Sequence, residues 1–173
     1  TLSTKSSETK EHALRMNKLA NEFGERLGLS NLELNQLSIL AKLHDIGKAT
    51  ISKEILTKQN SLTEEEWNIM KDHPVTGFKI TSSTEEFSPI AKKILHHHEY
   101  WDGSGYPEEL KGNEIPYLSR IIAIIDAYDV MTNKRPYSPV MTKKEALKEI
   151  KDCAGSQFDP ELAMEFIDFI KNI

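Results

Sequence analysis

Cysteine is almost missing from this chain. The one cysteine, Cys153, excludes an internal disulfide and fits a reducing compartment, so a cytoplasmic setting is expected. As a small apolar side chain, Cys153 itself suits burial rather than reactivity. No apolar run approaches the roughly 20 residues that cross a bilayer; the longest, Ile121–Ile125, fits a buried helix segment. Direct membrane insertion of this stretch is therefore not expected, and nothing at the start reads as a signal peptide. Long basic runs are missing too, and the formal net charge is −5. That argues against a DNA or RNA polymer as partner, because such binding needs a positive surface. An anionic ligand would need positive charge supplied locally, as by bound metal.

What is present is helical periodicity. Hydrophobic residues make up 38% of the 173 positions, enough to bury one core. His12, Met16, Leu19, Ala20, Phe23 and Leu27 recur at helical spacing over 8–28, with Gly28 as a stop. Leu34, Leu37, Leu40 and Ala41 repeat the pattern from Asn31 to Ile46, closed by Gly47. A short piece follows at 52–57, and Thr63 with Glu66 predicts a capped helix start. His73-Pro74 breaks that helix, because proline has no amide hydrogen and crowds the preceding turn, and a further segment runs to about Thr81. Helices are predicted at about 87–99, 116–132, 142–153 and 160–172, with irregular stretches near 48–62 and 100–116. With no alternating strand pattern, repeat or linker, the chain reads as one compact all-α domain, 1–173, of about seven or eight helices. It opens on Thr1 rather than methionine. It is therefore expected to be excised from a longer protein, with a sensor or receiver domain upstream, and homodimerisation is compatible with it.

Five of the six histidines stand in suggestive contexts. His44-Asp45 closes a helix, His97-His98 closes another, and His73 sits at a helix break. Glu8 and His12, four apart, share one face of the first helix. Asp126 and Asp129 lie three apart on an otherwise apolar helix, and a buried carboxylate needs a cation or strong donors. Each feature alone is common on ordinary helices. Together they supply the imidazoles and carboxylates that bind Fe, Mn or Zn.

These residues resemble the HD-GYP family. His44-Asp45-Ile-Gly-Lys48 is similar to the HD part of its signature, and His97-His98-Glu99-Tyr-Trp-Asp-Gly-Ser-Gly-Tyr-Pro107 to the second part. Ile115-Pro116, Arg120-Ile121, Asp126-Ala-Tyr-Asp129, Arg135-Pro-Tyr137 and Phe158-Asp-Pro160 follow in the family's order, so the resemblance spans about residues 8 to 165. It implies an all-helical HD-superfamily domain with the glycine- and proline-rich loop over the site. It also implies a metal-dependent phosphodiesterase that opens cyclic di-GMP to pGpG, and onward to GMP in some members.

Carried over position by position, the resemblance gives Glu8, His12, His44, Asp45, His73, His97, His98 and Asp126 as metal ligands. Asp45 would be the bridging carboxylate, and Glu8 with His12 would complete a third position. His96 has no counterpart ligand and reads as a neighbour. One ion takes about four to six ligands, so this set implies two or three divalent ions, iron first and manganese next. Lys48 is expected to join Asp45 in catalysis and to contact phosphate; Gly105, Tyr106 and Arg135 are expected at the substrate. Ser138 stands where the family often has a basic residue. That leaves another cyclic dinucleotide or nucleotide ester open as substrate. A metal-binding signalling module of low turnover, acting through a partner, is the alternative of another class.

Overall fold

A computed structural model describes residues 2–133 and 140–173, with side chains from residue 10 onward. The Glu8 side chain and Arg135, both expected at the site, lie outside the described residues, as does Ser138. The helices are α1 (Leu2–Arg26), α2 (Asn31–Leu43), α3 (Lys53–Leu56), α4 (Glu64–Lys71), α5 (His73–Ser82), α6 (Ser88–Leu95), α7 (Tyr117–Thr132), α8 (Lys143–Asp152) and α9 (Pro160–Lys171). Apart from α3, a single turn, the described residues hold eight helices, in keeping with the seven or eight expected. Tighter 3-10 turns occupy Ile46–Thr50 and Gly112–Glu114. No strand occurs among the described residues beyond an isolated bridge, Ala154 to Phe158. No described helix is long and apolar enough to cross a membrane.

Local chemistry explains most boundaries. Ser30, Thr63 and Thr142 each accept the amide three residues on, while Glu33, Glu66 and Glu145 reach back to the cap amide. Each of these boxes satisfies two amides that a helix start leaves over. Asp159 accepts from the amides of Glu161 and Leu162, with Pro160 opening α9. Gly28, at φ +73, ends α1 in the left-handed conformation that glycine adopts freely.

The core is built on α7. Ile121, Ile122, Ile124 and Ile125 are all fully buried, so the helix is covered on several sides, by α1, α2, α6, α8 and α9. Phe23 of α1 meets the rings of Phe166 and Phe169 of α9 at 5.1 and 5.4 Å. On the far side, α5 packs against α6 and the Ile46–Thr50 turn. There Gly47 faces α5, and a Cβ on it would lie 1.9 Å from the His73 carbonyl oxygen. Gly47 is thus a contact glycine rather than the helix stop expected from the sequence. Cys153, expected buried, is half-buried at the end of α8; burial and the Glu149 and Asp152 carboxylates push its thiol up from its usual range.

Two helices end earlier than their periodicity suggests. The segment expected to 46 stops at Leu43, and the one expected to 99 stops at Leu95. In both places a histidine side chain takes over a carbonyl that the continuing helix would have used, and it does so at the candidate site.

Candidate metal centre

Three histidines are set by one local device. The last turn of a helix leaves carbonyls without amide partners. His44 Nδ1 donates to the Ala41 carbonyl at 3.2 Å, His73 Nδ1 to Met70 at 2.8 Å, and His97 Nδ1 to Ile94 at 2.6 Å. Each ring caps a carbonyl three residues back, at the ends of α2, α4 and α6. Pro74 aids the second case, since it has no N–H to offer the Met70 carbonyl. A carbonyl only accepts, so the proton in each ring resides on Nδ1 and Nε2 presents a lone pair. All three rings are buried.

Those lone pairs converge. His73 Nε2 and His97 Nε2 stand 3.3 Å apart, and with both protons spent on carbonyls they have no hydrogen to share. Asp45 Oδ1 lies 3.3 Å from His73 Nε2, and Asp45 Oδ2 lies 3.6 Å from His44 Nε2. One ligand atom each of Asp45, His73, His97 and His98 falls within 4.8 Å of the others. His12, His44 and Asp126 form a second such group, with His12 Nε2 3.5 Å from Asp126 Oδ1. His12 was expected to act with Glu8; its ligand nitrogen here joins His44 and Asp126.

The donor set fits bound cations. His12 Nε2, His44 Nε2 and Asp45 Oδ1 are buried and have no hydrogen-bond partner. Buried polar atoms without partners are costly and call for an explanation. Facing lone pairs at 3.3 Å are close to the roughly 3 Å between adjacent ligands on an ion with bonds of about 2.1 Å. Seven of the eight expected ligands therefore assemble into two adjoining groups, with Asp45 facing both. The eighth is Glu8.

Electrostatics favour ligand-ready forms. Burial opposes the charge on Asp45, but the surrounding positive charge, Lys48 included, outweighs it and holds the carboxyl well below the usual carboxylate range. Lys48 Nζ is 2.7 Å from Asp45 Oδ2. Burial, then neighbouring histidines, holds His97 well below its usual value and takes His98 down to about 3. In the unfolded chain these rings take up protons as pH falls through 6.5, whereas in the fold they resist, so acid favours unfolding. Full stability from this source is present above pH 6.5 and is lost toward the folded values below it. The metal-free protein should therefore lose about 1.4 kcal/mol per pH unit per histidine on acidification. Thermal melts of chelator-treated protein at about pH 7 and about pH 5 measure this; an unchanged midpoint would show the folded rings already protonate.

The glycine-rich loop closes beside the ligands. Tyr106 stacks on His98 at 5.0 Å, and burial, with the Tyr100, Asp45 and Asp126 charges, raises its hydroxyl above its usual value. It is thus a neutral donor at the rim. Gly105, expected at the substrate, is buried, and a Cβ there would lie 2.2 Å from the Tyr100 amide nitrogen and 2.6 Å from the His98 carbonyl oxygen. Its identity has a packing reason. The buried Glu99 carboxylate accepts the amides of Glu108 and Leu110, which ties the loop down. His96 turns away to Glu108, 2.9 Å from its Oε2.

Asp129 was given no role by its sequence context, although it shares the Asp126 face of α7. It is buried, and its Oδ2 accepts His12 Nδ1 at 2.7 Å. Its signal in the sequence was a second acid three residues on in an apolar helix. The partner, 117 positions away, could not be read.

Comparison with known proteins agrees with this architecture. A family model described as "HD domain" matches residues 1–162. A protein of Thermotoga maritima named cyclic di-GMP phosphodiesterase is 41% identical over 170 residues, 96% of this chain and 46% of its own. Xanthomonas campestris pv. campestris has a cyclic di-GMP phosphodiesterase response regulator, RpfG. It is 40% identical over 148 residues, 84% of this chain and 39% of its own. The chain thus spans less than half the length of these relatives. A solved HDG"Y"P protein of Bdellovibrio bacteriovorus superposes with a TM-score of 0.75 at 20% identity, over 94% of this chain and 52% of its own.

Proposed function

The chain belongs to the HD domain family, and on that premise we propose that it is the phosphodiesterase domain of a longer, cytoplasmic signalling protein. Its substrate in this reading is cyclic di-GMP, opened by one water to linear pGpG, with a second hydrolysis giving GMP. The observation that carries this is the pair of adjoining donor groups, with Asp45 Oδ2 of one 3.6 Å from His44 Nε2 of the other, and three buried donor atoms that have no hydrogen-bond partner. Related chains named cyclic di-GMP phosphodiesterase support the substrate class.

Asp45, His73, His97 and His98 would hold one divalent ion, and His12, His44 and Asp126 another. Glu8 would contribute to a third. Imidazole and carboxylate without thiolate accept iron, manganese or zinc, and the family resemblance puts iron first and manganese next. Bound there, such ions supply Lewis acidity that makes water nucleophilic and offsets phosphate charge.

The chain's own residues do the rest. Lys48 sets a positive charge beside Asp45, where a phosphate oxygen approaching the centre gains a charge-assisted hydrogen bond. Buried His44, His73 and His97 cannot swing, because their Nδ1 protons are held by backbone. Tyr106 offers a neutral hydroxyl or its ring face to the substrate, and Gly105 lets the loop close far enough to put it there. Arg135 would contact phosphate or a guanine edge.

The test is turnover of metal-loaded protein on a panel: cyclic di-GMP, a cyclic GMP–AMP dinucleotide and a mononucleotide ester. Release of pGpG at the highest rate is expected. Ser138, in place of a basic residue, is the observation behind a second reading in which the mixed dinucleotide is preferred. Binding without turnover of any compound would sink both and leave a metal-binding signalling module.

A further inference from the structure

The two donor groups are oriented by different means. His44, His73 and His97 sit at helix ends, where carbonyls are spare. His12 lies within α1 (Leu2–Arg26), where the helix uses its own carbonyls. Its Nδ1 reaches instead to Asp129 Oδ2 on α7, at 2.7 Å. Asp129 is itself clamped. Arg15 Nε donates to Oδ1 at 2.7 Å and Arg15 Nη2 to Oδ2 at 2.9 Å, a two-point fork. Asn133 Nδ2 adds a bond to Oδ1 at 2.9 Å. The carboxylate is 1% exposed.

A carboxylate accepts only, so His12 is fixed with its proton on Nδ1 and its Nε2 lone pair toward Asp126 and His44. A full negative charge behind an imidazole also raises its basicity as a ligand more than a carbonyl does. His12 serves the group with three described donors; the other has four, none of them held by Asp129. We propose that Asp129 is a positioning residue that sets occupancy of the His12–His44–Asp126 position while leaving the Asp45–His73–His97–His98 position untouched. This rests on reading the His12–His44–Asp126 and Asp45–His73–His97–His98 groups as two separate ion positions.

The test is Asp129→Asn, titrated with manganese alone. In the parent the two described groups are expected to bind as two distinguishable classes of ion. In the variant one class keeps its affinity and the other weakens about 10- to 100-fold, the usual effect of losing such an outer partner. His12→Gln should lose the same class, and the double variant should be no worse than His12→Gln, because the aspartate acts through that ring. Nitrogen NMR of His12 in metal-free protein gives a readout that a merely structural role would not move. The parent shows Nδ1–H alone, and the variant a tautomer mixture. Should the asparagine variant fail to fold, Arg15→Lys breaks the fork while keeping Asp129 and His12, and should weaken the same class by a smaller factor.

Two classes in the parent that weaken equally in the variant, or not at all, overturn the role of Asp129 alone. A double variant worse than His12→Gln does the same. A parent that binds no ion overturns the reading of the centre and this inference together.

Discussion

Asp45→Asn should lower hydrolysis of a cyclic dinucleotide at least about a thousandfold while the chain still folds. Asparagine matches aspartate in shape, and the Asp45 side chain is 34% exposed, so packing hardly changes. What is lost is the charge. Oδ1 lies 3.3 Å from His73 Nε2 and has no hydrogen-bond partner, while Oδ2 faces Lys48 at 2.7 Å and His44 Nε2 at 3.6 Å. It is the acid that touches both donor groups, so its neutralisation weakens cation binding on both sides. Metal ions contribute several kcal/mol to charge stabilisation, and each 1.36 kcal/mol is a factor of about ten in rate. Release of pGpG together with elemental analysis checks this. Parental turnover with full metal content would remove Asp45 from the centre.

The sequence made the helices and most of the candidate donors legible, for different reasons. Helix starts are local: Thr63 with Glu66 announces its own cap, and the structure has that box. The imidazoles and acids stand in recognisable order, so His44-Asp45 and His97-His98 could be marked directly. Helix ends were misjudged where ligands intervene. Leu40-Ala41 and Ile94-Leu95 keep helical periodicity, but His44 and His97 claim the Ala41 and Ile94 carbonyls, and propensity does not register that competition. Long-range partners were the least visible. The Asp129 bond to His12 spans 117 positions, and the Glu99 grip on two loop amides depends on a fold that brings them back. Only the assembled structure distinguishes Asp126, a donor in the cluster, from Asp129, which holds a donor in place.

Gly47 shows the same limit and carries the largest expected loss of stability. In Gly47→Ala the new Cβ would lie 1.9 Å from the His73 carbonyl oxygen, 2.8 Å from the His73 carbonyl carbon and 2.7 Å from the Gly77 amide nitrogen. These are backbone atoms, with no rotamer to change. The Ile46–Thr50 turn and α5 must separate by roughly an ångström, a shift the close-packed interior resists. The cost should reach the upper end of overpacking, about 3 kcal/mol, which lowers the melting midpoint by roughly 6 to 12 °C in a chain of this size. The damage should not stop at stability. Asp45 immediately precedes the turn and His73 opens α5, so the same separation widens their 3.3 Å approach and weakens metal binding. Gly155→Ala is the matched control. Its φ of +87 strains an alanine, yet nothing lies within 4 Å of the added carbon. It should cost only the left-handed penalty of about 1–2 kcal/mol and leave metal affinity at the parental value. Melting of metal-free protein and manganese titration of both variants decide the matter. If Gly47→Ala matched the control in both readouts, the close crossing of this turn with α5 could not be what holds Asp45 against His73.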